Sequence, residues 1–289
     1  MAATPSSEAK SGLKLISPPV FYAILMLAAP LATVLVYSVM TGEKGAVSLP
    51  LTLDNYYELF TKPIYRALMG RSLMVSFFVT AATVLLAYPI AYFVSFHVAP
   101  SRKSLWLFLI TIPFWTSYII RVSLWRTILG YDGILDSIVM GLGLSDTQPN
   151  VLSHGVLSII ITLAHAYAPF AVLPIFVSLE KVDRSLLEAG QDLGESRWMT
   201  FLRVSLPLSL PGVIAAVLIV FIPTVGDYVT PELIGGGKTP MIANLMETQM
   251  LKQRDQAMGS AIAVAAMTIV ALISIAFVLW NRRFLGGRK

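Results

Sequence analysis

Residues 188–207 read Glu188-Ala189-Gly190-Gln191-Asp192-Leu193-Gly194-Glu195-Ser196-Arg197-Trp198-Met199-Thr200-Phe201-Leu202-Arg203-Val204-Ser205-Leu206-Pro207. This is a charged island between two long apolar runs. It is too polar to cross a bilayer, and too rich in helix formers and paired charges to be slack linker. The runs beside it decide the fold. Val156–Leu179 before it, and Pro207 to about Val229 after it, each offer the roughly 20 apolar residues that cross about 30 Å of hydrocarbon.

Outward from the island, four more stretches qualify: Pro18–Met40, Ser72–Phe96, Leu105 to about Leu124, and Ala261–Trp280. The expectation is an all-α integral membrane protein with six transmembrane helices. Arg121 and Arg126 fall near the end of the third span, and are expected to snorkel to the outer interface there. Composition agrees with the class. Hydrophobic residues make up 56% of the 289 and charged residues only 13%, about half the charged share of a soluble domain. Without cysteine there are no disulfides and no thiolate metal sites. The net charge of +5 gathers at the ends of apolar runs, which points to the positive-inside rule rather than to nucleic acid.

An even number of spans puts both termini on one side. Arg102 and Lys103, the island with Lys181, Arg184, Arg197 and Arg203, and the tail with Arg282, Arg283, Arg288 and Lys289 assign that side to the cytoplasm. The expected division is a cytoplasmic segment 1–17, a membrane domain 18–280 holding a cytoplasmic loop 180–206, and a basic cytoplasmic tail 281–289. The run from Pro18 is too long for a cleaved leader and reads as a first span. Outside lie 41–71, 129–153 and 231–258. Within the first of these, Leu53–Phe60 has helical amphipathic spacing with Asp54 or Asn55 as a candidate cap. Pro30, Pro89, Pro113, Pro169, Pro174 and Pro223 fall inside spans, where each removes a backbone hydrogen bond.

No catalytic or metal-binding constellation appears. His97, His154 and His165 are far apart, and His165, within the fourth span, suits packing or a helix-to-helix hydrogen bond. The stretch Glu232 to Thr239 ends like a phosphate-binding loop. It lacks the leading glycine and the strand before it, and is flanked by Pro231 and Pro240, so it reads as a turn.

In the island, Asp183 or Ser185 can cap a helix, and Glu188 stands at capping-box spacing from Ser185. Ala189, Gly190 and Gly194 leave a low surface, and Gly194 suits a left-handed helix end. Leu186, Leu187, Leu193, Trp198, Phe201 and Leu202 supply apolar anchors. Leu206-Pro207 is expected to stop this element, with Pro207 starting the next span at a tolerated first-turn position. The residues alone fit a docking surface and a solvated connecting loop equally well.

The island resembles the EAA motif of the inner-membrane permease subunits of binding-protein-dependent ABC importers. That pattern is Glu-Ala-Ala, three residues, Gly, nine residues, then Ile-x-Leu-Pro, and Glu188, Ala189, Gly194, Val204, Leu206 and Pro207 fall on it. Gly190 replaces the second alanine and Val204 the isoleucine. The resemblance implies the type I importer permease fold in a bacterial inner membrane. It also implies a coupling helix docking on an ATPase, carried here by Glu188, Ala189, Gly190, Asp192, Leu193, Gly194, Leu206 and Pro207. The implied partners are a second homologous permease, two ATPase copies that bind ATP and magnesium, a periplasmic binding protein and the lipid bilayer. This chain would then be no enzyme and hold no cofactor.

The stretches Ala168–Ile175 and Phe221–Gly236, with Gln253-Arg254-Asp255 and Gly259-Ser260-Ala261, are similar to the putrescine/spermidine branch of that family. Related branches import sulfate, molybdate, iron, thiamine or opine-like cations, and a stand-alone secondary transporter is the remaining alternative. A polyamine needs carboxylates for its ammonium ends and aromatic faces for cation–π contact. Asp227 near the outer end of the fifth span, with Tyr228, Glu232, Trp115 and Tyr118, could line such a path. Asp227 could equally pair with Arg121 or Arg126.

Overall fold

The computed structural model describes residues 5–43, 45–130, 133–145 and 155–285. The expected tail 281–289 and segment 1–17 are therefore described only in part, and His154 lies outside the described residues. The chain forms two compact units, Met1–Lys62 with Met246–Ala265, and Pro63–Leu245 with Ala266–Lys289.

In the first unit, α1 (Pro5–Ser38) is followed by an antiparallel hairpin, β1 (Met40–Glu43) and β2 (Ala46–Leu51), and then by α2 (Asp54–Thr61). No residue of the apolar window in Lys14–Ser38 is buried. The expected cap of α2 is not formed. Neither Asp54 nor Asn55 caps it; the preceding residue is Leu53, with no side-chain cap bond. Asn55 instead turns back, donating from Nδ2 to the carbonyls of Ser38 at 3.2 Å and Met40 at 2.9 Å. It thus satisfies the last carbonyl of α1, which the helix itself leaves open, and the first carbonyl of β1.

The second unit contains α3 (Pro63–Phe96), α4 (Pro100–Thr111), α5 (Tyr118–Leu129), α6 (Ile134–Gly141), α7 (Val156–Leu179), α8 (Arg184–Asp192), α9 (Arg197–Thr200), α10 (Leu206–Val225) and α11 (Val229–Leu233). α12 (Ile242–Glu247) and α13 (Gln256–Trp280) each cross the division between units, and α14 (Arg282–Leu285) belongs to the second. Its core is the seam of α3, α7 and α10. Val75, Val79, Ala87, Ala91 and Val94 meet Ile159, Leu163, Ala171, Val172, Ile175 and Leu179, with Ala216 and Val220 closing the third side. Small and β-branched side chains dominate because lipid supplies no hydrophobic drive between helices, so close backbone approach must hold them. Gly212 shows how close: a Cβ there would collide with the Pro174 carbonyl oxygen and the Ser178 side chain.

Among the described residues five helices are long and apolar enough to cross a membrane, by length and composition, or six if a bent pair is counted as one span. That pair is the expected third span. It is broken rather than continuous: a tight turn over Ile112–Trp115 separates α4 from α5, and the pair bends by 85°. Pro113 lies in that turn, where its missing N–H and fixed φ disfavour a straight helix.

Candidate functional site

Two groups of side chains stand out, one on the polar island and one beyond the end of α10.

On the island, Asp183 is the cap of α8, its Oδ1 receiving the Ser185 amide at 2.9 Å. That bond to the ionised form holds the exposed Asp183 carboxyl below its usual range, and the Ser185 hydroxyl adds to the shift. The helix ends through Gly194, whose φ of +83° is left-handed and whose amide reaches the Gln191 carbonyl at 2.9 Å. Ser196 caps α9, accepting from the Met199 amide at 3.3 Å. Gly190 faces Thr200, and a Cβ there would stand 3.3 Å from the Thr200 hydroxyl and methyl. This tight fit gives a physical reason for glycine where the resembled motif has alanine. Arg203 and Glu195 close the turn as an ion pair at 2.6 Å.

Glu188, Ala189, Asp192, Leu193 and Gly194 are all exposed, Leu193 by 86%. Behind them, Trp198 stacks on Phe201 at 5.2 Å, and Phe201 meets Tyr88 and Tyr92 of α3 edge-on at 5.6 and 5.9 Å. Arg184 adds a bond from Nη2 to the Ser95 carbonyl at 3.1 Å. The island is thus a rigid shelf with an apolar and acidic edge turned outward.

Leu206-Pro207 does not interrupt the helix as expected. The chain runs as one helix from Arg197 to Val225. A π turn over Phe201–Ser205, with the Leu206 amide reaching back to the Phe201 carbonyl, precedes the proline. The wider turn accommodates a ring that would clash in an ordinary helix interior.

At its other end α10 stops at Gly226, and Asp227 turns inward, only 8% exposed. Its Oδ1 receives the Val229 amide at 3.1 Å and its Oδ2 the Tyr118 hydroxyl at 3.0 Å. Tyr118 Oη also lies 2.7 Å from Thr230 Oγ1. With Tyr118 donating to the carboxylate, Thr230 is the donor in that second bond. Asn244 braces the segment, giving Nδ2 to the Tyr228 carbonyl at 2.8 Å and taking the Met241 amide at 2.9 Å. Of the residues expected along the path, Asp227 and Tyr118 therefore converge. Tyr228 is adjacent but half-exposed, Glu232 is exposed, and Trp115 is 76% exposed with its ring edge-on to Phe108.

Arg121 does not snorkel outward. It is 8% exposed, and its guanidinium carbon lies 5.7 Å from the Phe114 ring centre and 5.9 Å from that of Tyr118. Among the described residues no ion pair joins Asp227 to Arg121 or to Arg126. Phe114 beside Arg121 is a neighbour that the sequence reading misses, because the break in the third span brings the two together, and so is Thr230 beside Tyr118. The proline at 113 was the available signal. His165 accepts at Nδ1 from Trp125 Nε1 at 3.1 Å, the helix-to-helix bond expected of it. Among the described residues no group of histidines and carboxylates could hold a metal.

A family described as the inner membrane component of binding-protein-dependent transport systems matches residues 73–286. The chain belongs to this family. It is a membrane subunit of an ABC importer, and both the island and the Asp227 group lie inside the matched region. It is 34% identical over 261 residues to the spermidine/putrescine transport system permease protein PotB of Haemophilus influenzae, covering 90% of each chain. Against PotB of Escherichia coli it is 34% identical over 86% of this chain and 88% of the relative. The inner membrane ABC transporter permease protein YdcU of Escherichia coli is 32% identical, over 84% of this chain and 78% of the relative. Among solved structures the fold matches a bacterial transporter importing the polysaccharide alginate, with TM-score 0.70, 14% identity and coverage of 96% and 99%. It also matches the inward-facing MetNI methionine ABC transporter, with TM-score 0.57, 17% identity and coverage of 78% and 99%. At those identities the likeness is one of fold alone.

Proposed function

We propose that this membrane subunit forms half of the translocation path for a polyamine such as spermidine or putrescine, driven by ATP hydrolysis in a separate subunit. The observation that carries the substrate is the 34% identity to a spermidine/putrescine permease across nine-tenths of both chains. A buried carboxylate held by a phenol, Asp227 with Tyr118, suits an alkylammonium group in a site of low dielectric.

In this reading a second homologous permease closes the path, and two ATPase copies bind ATP and magnesium. A periplasmic binding protein delivers the solute, and both termini face the cytoplasm. The exposed edge Glu188–Gly194 docks on the ATPase. The continuous helix from Arg197 through Leu206 and Pro207 carries its displacement toward Asp227.

The test is uptake by the complete importer reconstituted in vesicles. Spermidine- or putrescine-dependent accumulation that requires ATP on the ATPase side is expected. Transport of sulfate or thiamine instead, with neither polyamine accepted, would reassign the substrate. Asp227→Asn should lower polyamine uptake by tenfold or more while leaving assembly intact, and normal uptake would remove Asp227 from the path.

A further inference from the structure

Arg121 is a buried charge that the path described above does not account for. It lies 8% exposed on α5, and its Nε and Nη1 are buried without a hydrogen-bond partner among the described residues. An unpaired buried cation is costly and is normally matched by a carboxylate or by backbone carbonyls. What this guanidinium has is two aromatic faces, Phe114 at 5.7 Å and Tyr118 at 5.9 Å, both within the range of cation–π attraction. Tyr118 bonds through its hydroxyl to the Asp227 carboxylate at 3.0 Å. The aromatic faces that an alkylammonium group needs, one of them on the phenol that holds Asp227, are thus already serving a cation that belongs to the chain.

We propose that Arg121 is a tethered stand-in for the substrate cation: it fills the Phe114–Tyr118 aromatic box beside Asp227 while the path is empty, and an incoming ammonium group must displace it. The inference rests on the reading of Asp227 and Tyr118 as part of the polyamine path. Arginine suits the role because its guanidinium is planar, stacks on aromatic faces and is weakly hydrated. Two consequences follow. While the path is empty, a fixed positive charge rests on the ring of the same tyrosine whose hydroxyl holds the carboxylate, which discourages inorganic cations from entering. The apparent affinity for substrate is also reduced by the fraction of time the box is self-occupied, which favours release over retention.

The experiment measures binding of radiolabelled spermidine to the assembled permease–ATPase complex in nanodiscs, with the binding protein omitted. Arg121→Met should tighten binding by about three- to thirty-fold, the span that losing one cation–π competitor allows. Removing a positive charge would also relieve plain repulsion, so Arg121→Lys is the deciding variant. It keeps the charge on a shorter and more strongly hydrated head that holds the aromatic faces less well, and should tighten binding in the same direction but by less than Arg121→Met. Unchanged or weaker binding in Arg121→Lys, in a complex that melts as the wild type does, overturns the proposal. It also does so if Arg121→Met fails to assemble. Asp227→Asn separates the two readings. If that variant alone binds spermidine as the wild type does while Arg121→Lys still tightens binding, the path reading of Asp227 fails and the aromatic box stands. If Asp227→Asn weakens binding and Arg121→Lys changes nothing, the path reading stands and the stand-in fails.

Discussion

Lys103 in the first turn of α4 holds Glu180, the residue that ends α7, in an ion pair of 2.6 Å. The lysine side chain is 13% exposed and the carboxylate side chain 35%. The lysine also stands 6.0 Å over the Phe176 ring. Two helices distant in sequence are thereby pinned on the face that carries the island. Charge reversal of both partners, Lys103→Glu with Glu180→Lys, should recover most of what either single reversal loses. A double-mutant cycle on thermal melting should give a coupling energy of about 1 kcal/mol, reduced by added salt. A coupling energy of zero would make the pair incidental.

Gly212 of α10 touches α7 where a side chain has no room, and its amide donates to Ser178 Oγ at 3.3 Å. Gly212→Ala should cost about 1–3 kcal/mol by forcing the two helices apart, and Gly212→Leu should prevent recovery of monodisperse protein. Gly70→Ala is the control, since nothing lies within 4 Å of a Cβ at that position. Equal melting temperatures for Gly70→Ala and Gly212→Ala would refute the close-contact reading.

Gly194 combines a left-handed φ of +83° with open space around a Cβ. Gly194→Asp therefore carries only the backbone penalty of about 1–2 kcal/mol and should insert and fold. Its effect should fall on docking: ATP hydrolysis in the assembled importer should lose its dependence on loaded binding protein, as it should in Glu188→Lys. Normal stimulation in both variants would take the ATPase contact away from this edge.

Asp183 caps α8 as a carboxylate, and its folded-state pKa is depressed by the Ser185 bonds. A depressed pKa means that the cap's contribution is fully present above the ordinary carboxylate pKa. It is lost as pH falls through the lower, folded-state value. Amide exchange at Ser185, compared with exchange at an amide in the middle of α7, should lose protection in that acidic window. Asp183→Asn keeps a good cap without the titration, so its protection should stay flat. A pH response retained in that variant would exclude Asp183 as the source.

The spans and the island were legible because each rests on a local pattern. About 20 apolar residues in a row, or a polar run with Gly at a helix end, need no knowledge of the rest of the chain. Val156–Leu179 came out with its expected limits for that reason. The surroundings of Arg121 escape a local reading because they depend on the bend over residues 112–117 between α4 and α5. A charge near the end of a straight span reaches water, whereas one just past a break is turned into the bundle. The position of Asn55 suggests a cap, yet the carbonyls of Ser38 and Met40 compete for its amide and win. The hairpin at Met40–Leu51 carries no strong turn signature, and its sequence reads as connection. Gly42 at its start fits against Asp255, which also accepts the Met258 amide at 2.9 Å and so begins α13. That pairing across more than two hundred residues is invisible to any local window.

The π turn at Phe201–Ser205 changes what length means in this helix. It contributes one residue beyond an ordinary turn, and each α-helical residue advances the phase by roughly 100°. Excising a single residue there would leave the helix almost as long. It would swing the shelf of α8 and α9 by more than a quarter-circle about the axis of α10, carrying Glu188 and Leu193 to a different bearing while Gly212 stayed seated on α7. The angular setting of the cytoplasmic shelf is thus fixed by a count of residues in one loosened turn, much as the hand of a clock is set by the teeth of a gear.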